Sequence, residues 1–145
     1  MGLFLISSFG ASEVFAFKDP LGPGRWWQKA FVKERLQLNS DQIEKINTIW
    51  TNYKKNIIDI DGRIKKEVLD LENLLTQREI DRQEAYKIAD NIGLLHATHR
   101  TEQIKMAIDI RQELSQEQFQ RLEEIKMELI RKMRKRDLSE QKRKD

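Results

Sequence analysis

Residues Leu38–Leu75, LNSDQIEKINTIWTNYKKNIIDIDGRIKKEVLDLENLL, decide how this chain folds. Their apolar side chains recur three and four apart, at Ile43, Ile46, Trp50, Tyr53, Ile57, Ile60, Ile64, Leu71 and Leu74, with an interruption at Glu67. That spacing keeps one side of a helix apolar, and over about 32 residues it draws a seam roughly 48 Å long. Asn39 stands just before it, with Gln42 three residues on. The Asn side chain accepts from the free N–H groups of the first turn while Gln42 reaches back to the cap, which is a capping box. The device recurs at Leu114-Ser115-Gln116-Glu117-Gln118, with Ser115 as cap and Gln118 as its partner. Leu38, Asn39 and Gln42, and again Leu114, Ser115 and Gln118, therefore mark two helix starts.

Outward from this stretch the pattern continues. A break falls at Thr76 to Arg78, and a second long helix runs from Ile80 to about Glu113 through Ala85, Ala89, Ile92, His96, His99, Gln103, Met106 and Ile110. A helix from Ser115 shows Phe119, Leu122, Ile125, Leu129 and Met133. Upstream, the breaker Pro20-Leu21-Gly22-Pro23-Gly24 precedes a short helix from Arg25 to Leu36 carrying Trp26, Trp27, Ala30, Phe31 and Leu36. The expectation is an all-α protein of four helices, in which two long helices joined by a few residues fold back as an antiparallel hairpin. With the turn near residue 77 or 78, Gly62 and Gly93 fall level across it, which predicts a bend or a close backbone approach. A hairpin this thin cannot cover its own seam on every side, so a homodimer with two-fold symmetry is expected.

Composition narrows the function classes. At 145 residues with no cysteine, the chain is too short for a multidomain enzyme and has no disulfide, thiolate metal site or Cys nucleophile. There is no Gly-rich phosphate loop and no nucleophile elbow, so no catalytic residue is assigned and no enzyme is expected. Asp59-Ile60-Asp61-Gly62 lacks the donor spacing of a calcium loop and reads as helix. Residues Leu3 to Phe9 are apolar but too short to span a bilayer, and Val14-Phe15-Ala16 offers a signal-peptidase site. A signal peptide over 1–16, shortened because no basic residue precedes Lys18, is expected, followed by a helical domain over 17–130 and a basic tail over 131–145.

Trp26-Trp27, Leu36-Gln37-Leu38-Asn39-Ser40-Asp41-Gln42-Ile43 and Leu114-Ser115-Gln116-Glu117-Gln118 together resemble the twin LTxxQ boxes of the Spy/CpxP family of periplasmic proteins. The likeness covers essentially the whole chain after residue 16. Asn39 and Ser115 replace the family's Thr, and both are competent caps. The resemblance implies a cradle-like antiparallel homodimer whose concave face binds unfolded clients without ATP, or a relative that senses envelope stress or heavy metal for a membrane-bound sensor kinase or regulator.

Two sets of residues carry these alternatives. Ile49, Ile58, Val68, Leu69, Leu94, Ile104 and Ile108 fall outside the seams and are the candidates for contact with non-native envelope proteins. His96 and His99 share a helix face with Glu102 and Met106 nearby, a donor set for zinc, nickel or copper if further ligands joined it. No cofactor is required by this reading, and the histidines serve equally as hydrogen-bonded seam residues or, titrating near pH 6.5, as a pH-sensitive element of the packing. Residues 131–145 hold eight basic side chains against three acidic ones. Such a tail attracts anionic lipid or acidic clients, or is simply a solvated helix end. Nucleic acid is not an expected partner, because no aromatic residues are interleaved with the charge.

Overall fold

The computed structural model describes Leu21, residues 24–141 and Arg143. The expected signal peptide lies outside the described residues. A 3-10 turn at Trp26–Gln28 precedes four α-helices, α1 (Ala30–Leu36), α2 (Ser40–Leu75), α3 (Arg82–Gln112) and α4 (Gln116–Gln141). No strand occurs among the described residues, as the periodicity predicts. None of these helices is long and apolar enough to cross a membrane. Contacts divide the chain into two compact units, Leu38–Phe119 on the one hand and Met1–Gln37 with Gln120–Asp145 on the other.

The first unit is built on the α2–α3 hairpin. Its cross-helix pairs step in opposite directions, Lys45 with Glu113, Tyr53 with Asp109 and Asp61 with His99, so the helices are antiparallel. α2 ends where the Thr76 hydroxyl donates to the Asn73 carbonyl at 2.7 Å. α3 starts after Asp81, whose carboxylate accepts from the backbone of Gln83 and Glu84 at 3.0 and 3.1 Å. The helix therefore begins two residues later than expected from Ile80, because Asp81 is the residue able to satisfy its first N–H groups.

Every α2 seam position named above is buried or half-buried, with Ile46, Ile57 and Ile60 the most completely covered. In α3 the register differs at two places. Ile88 and Leu95 are buried, while their neighbours Ala89 and His96 are exposed. Where adjacent residues compete for the inward position, the larger apolar side chain removes more area from water, and it wins here. Gly62 follows Asp61 and is thus level with the turn around His99, about one and a half helical turns from Gly93. A Cβ built at either glycine meets nothing within 4 Å, so neither marks a close backbone approach.

In the second unit Leu21, Trp27, Val32, Leu36, Leu122 and Ile125 are buried. Trp26 meets Trp27 edge to face, with ring centroids 5.5 Å apart. The Lys29 ammonium donates to the Leu21 carbonyl. Extended backbone at Lys29 separates the 3-10 turn from α1 and rotates the helix relative to the expected continuous one. Val32 thereby turns inward, while Ala30 and Phe31 are exposed. Met133, placed on the apolar face of α4 by spacing, is exposed as well. Gln37 closes α1 in the left-handed region at φ 53°, its N–H reaching the Glu34 and Lys33 carbonyls.

The Arg35 guanidinium donates through Nη1 and Nη2 to the two carboxylate oxygens of Glu128 at 2.8 and 2.9 Å, a forked pair tying α1 to α4. These bonds hold the Glu128 carboxyl below its ordinary range and push the Arg35 guanidinium up. A carboxyl depressed in the folded state adds stability above its unfolded titration range and loses it as the pH falls through the lower folded value. Glu128→Gln is expected to lower the melting temperature near pH 7 and to converge on the parent chain as the pH is taken down through the depressed folded value, as followed by circular dichroism. A difference of constant size across that range contradicts the assignment.

Candidate functional site

Both capping boxes form. The Asn39 side-chain carbonyl accepts from the Gln42 backbone at 2.8 Å, and the Asn39 N–H donates to Gln42 Oε1 at 3.2 Å. Ser115 Oγ accepts from the Gln118 backbone at 3.1 Å, and the Ser115 N–H donates to Gln118 Oε1 at 2.9 Å. The boxes then meet each other. Gln42 Nε2 donates to Gln118 Oε1 at 2.8 Å, Gln118 Nε2 donates to Gln42 Oε1 at 3.1 Å, and Gln42 Nε2 also reaches the Glu113 carbonyl at 2.8 Å. Each glutamine thus closes its own helix start and grips the other. Leu114 is buried and Leu38 half-buried beside these caps.

Arg111 locks the connection between α3 and α4. Its guanidinium donates to the Leu114 carbonyl at 3.0 Å and to Gln116 Oε1 at 2.8 Å, and lies 4.0 Å from the centre of the Phe119 ring. Sequence reasoning passed over this residue. The available signal was a basic side chain in the last turn of a helix, where unpaired carbonyls and the helix dipole attract a cation. Farther along the hairpin the Tyr53 hydroxyl donates to Asp109 Oδ2 at 2.7 Å, and this bond is the main cause that raises the tyrosine above its usual titration range.

The metal candidates are only partly brought together. His99 is half-buried with Nε2 3.2 Å from Asp61 Oδ1 across the hairpin, and Glu102 pairs with Lys105 at 3.1 Å. Met106 is half-buried, but His96 is exposed, one position off the inward register taken by Leu95. The two imidazoles therefore do not form a buried seam pair. Among the described residues, no three of His, Asp and Glu are grouped closely enough to hold a metal ion.

The apolar candidates separate cleanly from the seams. Ile58, Val68, Leu69, Leu94, Ile104 and Ile108 are all exposed, whereas Ile49 is half-buried. On α3 they fall in one line. Tyr86, Leu94, Ala97, Thr101, Ile104 and Ile108 share a side about half a turn round from Ile88, Leu95 and Ile110, by the 3.6-residue period. Leu94 at 68% and Ile108 at 51% relative exposure are far barer than the seam residues.

A model of the heavy-metal resistance family matches residues 3–121, which takes in both boxes and the whole hairpin. The chain belongs to that family. It is one of the Spy/CpxP-like helical families, in keeping with the box resemblance. Membership gives the chain a heavy-metal-resistance or stress-related role. No curated protein and no solved structure gives a significant match.

In this member the family's paired boxes act on each other, which a double-mutant cycle can measure. Gln42→Ala and Gln118→Ala each strand the partner amide and are expected to cost about 1–3 kcal/mol by urea denaturation. The double variant is expected to fall short of the sum by about 0.5 kcal/mol or more. Additive losses would mean that the two amides cap their own helices without supporting each other.

Proposed function

We propose that this chain is an exported, periplasmic binding protein and not an enzyme, acting as an ATP-independent holdase for non-native envelope proteins. The observation that carries the reading is the bare apolar line on α3, Leu94, Ile104 and Ile108, in a hairpin whose opposite seam is already filled. An aggregating chain exposes segments of the same character. Contact between the two removes apolar surface from water at roughly 25 cal/mol per Å². Asp90, on the line four residues from both Tyr86 and Leu94, and Lys87 and Lys105 at its edge keep it wetted and favour release over permanent burial. A homodimer fits the same economy, since a second copy covers part of the exposed set on α2, Ile58, Val68 and Leu69. The family's stress-related role supports the reading.

A second reading, metal or stress sensing for a membrane-bound regulator, is favoured by the family's description and by the exposed His96 within one turn of the Asp61–His99 pair. Zinc, nickel or copper would then be signal and not structural support.

The two readings part in one experiment. The full chain is mixed with a thermally aggregating client without ATP, in EDTA and again in Zn²⁺, and light scattering is followed. Protection in EDTA that drops severalfold in Leu94→Ser/Ile104→Ser/Ile108→Ser, at unchanged melting temperature, is the expected result. Stoichiometric Zn²⁺ uptake without any protection favours the sensor, and protection untouched by the triple variant removes the α3 line from the site.

A further inference from the structure

The C-terminal half of α4 carries charge that neither reading uses. Of the six residues 131–136, five are basic, namely Arg131, Lys132, Arg134, Lys135 and Arg136. All are exposed, and no carboxylate lies within 4 Å of their charged groups among the described residues. The helix is continuous from Gln116 to Gln141, so their disposition is fixed. Arg131 and Lys135 are four apart on one line, and Lys132 and Arg136 form the next line beside it. Like charges at that spacing disfavour a helix, and an external anion relieves the repulsion.

The same side is not purely polar. Met127, Arg131, Lys135 and Leu138 follow one another four, four and three residues apart, so two apolar side chains bracket the basic ones. Met127 is 49% and Leu138 61% exposed. Toward the start of α4 this side meets Glu124 and Glu128, the latter already paired with Arg35. Asp137 and Glu140 lie round the helix from Arg131 and Lys135, and Glu140 stands four residues from Arg136 on its line.

We propose that this segment of α4 lies along the surface of an anionic phospholipid bilayer, with Arg131, Lys132, Arg134 and Lys135 on the headgroup phosphates and Met127 and Leu138, which fall between Arg134 and Arg131 round the helix, dipping among them. A flat charged surface fits an exposed row of cations along one continuous helix. Each Lys or Arg held near an anionic leaflet multiplies binding roughly fivefold, and short apolar side chains at the same level add to it. Nucleic acid offers the same phosphates, but no aromatic residue follows Phe119 to stack on a base. The inference is independent of client binding, which uses α3.

Co-sedimentation of the full chain with vesicles tests it. Binding to vesicles of phosphatidylglycerol and phosphatidylcholine is expected to be at least tenfold stronger than to phosphatidylcholine alone, and to weaken at least tenfold between about 50 and 300 mM NaCl. Arg131→Gln/Lys132→Gln/Arg134→Gln/Lys135→Gln, checked for helix content by circular dichroism, is expected to bind at least tenfold more weakly. Leu138→Ser is expected to weaken binding severalfold while leaving its salt dependence intact. Equal binding to both vesicle types, the signature of insertion by the apolar residues 3–9, overturns the proposal. So does an unchanged quadruple variant, or tighter binding to a duplex oligonucleotide than to the anionic vesicles. Should the quadruple variant lose helix, the lipid and salt dependence of the parent chain decides the question.

Discussion

Two glutamine amides, those of Gln42 and Gln118, hold together the start of α2 and the start of α4, 76 residues apart in the chain. An amide side chain has an acceptor on one branch and donors on the other, so two of them can face each other head to tail and exchange two hydrogen bonds. Here each oxygen also takes the N–H at its own N-cap. Replacement by Glu would remove the donors, and replacement by an aliphatic residue would leave both N-caps and the Glu113 carbonyl short of partners. This is why the second motif position must be an amide for the arrangement seen. The cap position is less demanding, since any short side chain with an accepting oxygen serves, and Asn39 and Ser115 are two chemical solutions to one requirement.

The pair constrains the hairpin between its members. For Gln118 to return to Gln42, α3 must run back along α2 for nearly its full length, and the cross-helix contacts Tyr53–Asp109 and Asp61–His99 mark that return at intermediate heights. Arg111 then fixes the short connection, because a guanidinium held by a carbonyl, an amide and an aromatic face cannot shift without losing all three. Polar groups thus set the register, while Ile46, Ile57, Ile60, Ile88, Leu95 and Ile110 supply the burial. Neither contribution substitutes for the other. An apolar seam alone tolerates sliding by a heptad, and hydrogen bonds alone gain little over those made with water.

This division explains what could be read from the residues. α2 was legible throughout because its seam repeats over nine positions, so a single helical phase accounts for them even where an apolar neighbour stands alongside, as Ile58 does beside Ile57 and Leu75 beside Leu74. α3 offers adjacent pairs, Ile88 with Ala89 and Leu95 with His96, and spacing cannot choose between members of a pair. The packed structure chose by size, and His96 moved out of the seam and away from the proposed donor set. The caps were legible as local chemistry, but their meeting was not, since a three-residue pattern contains nothing about a partner 76 residues away. Likewise Lys29 breaks the first helix through its backbone conformation, and Val32 replaces Ala30 and Phe31 on the inside. The exposed apolar candidates were largely identified correctly as outside the seams, with Ile49 the partial exception. That reading needed only the phase of the helices.

An exposed apolar side chain is ordinary on a protein surface, and single cases such as Phe31 carry no message. The α3 line differs in its order. Leu94, Ala97, Thr101, Ile104 and Ile108 are spaced three and four apart, as strictly as the buried seam of the same helix. A helix that needs only one covered face has no reason of stability to build a second, since each uncovered side chain there forgoes the area it could bury. Thr101 and Ala97 soften the line without interrupting it, giving a surface that is apolar enough to attract a greasy segment and too narrow to engulf one. Under the proposed holdase reading such a surface takes an occupant from outside this hairpin, and its modest width suits one that arrives, is shielded and leaves.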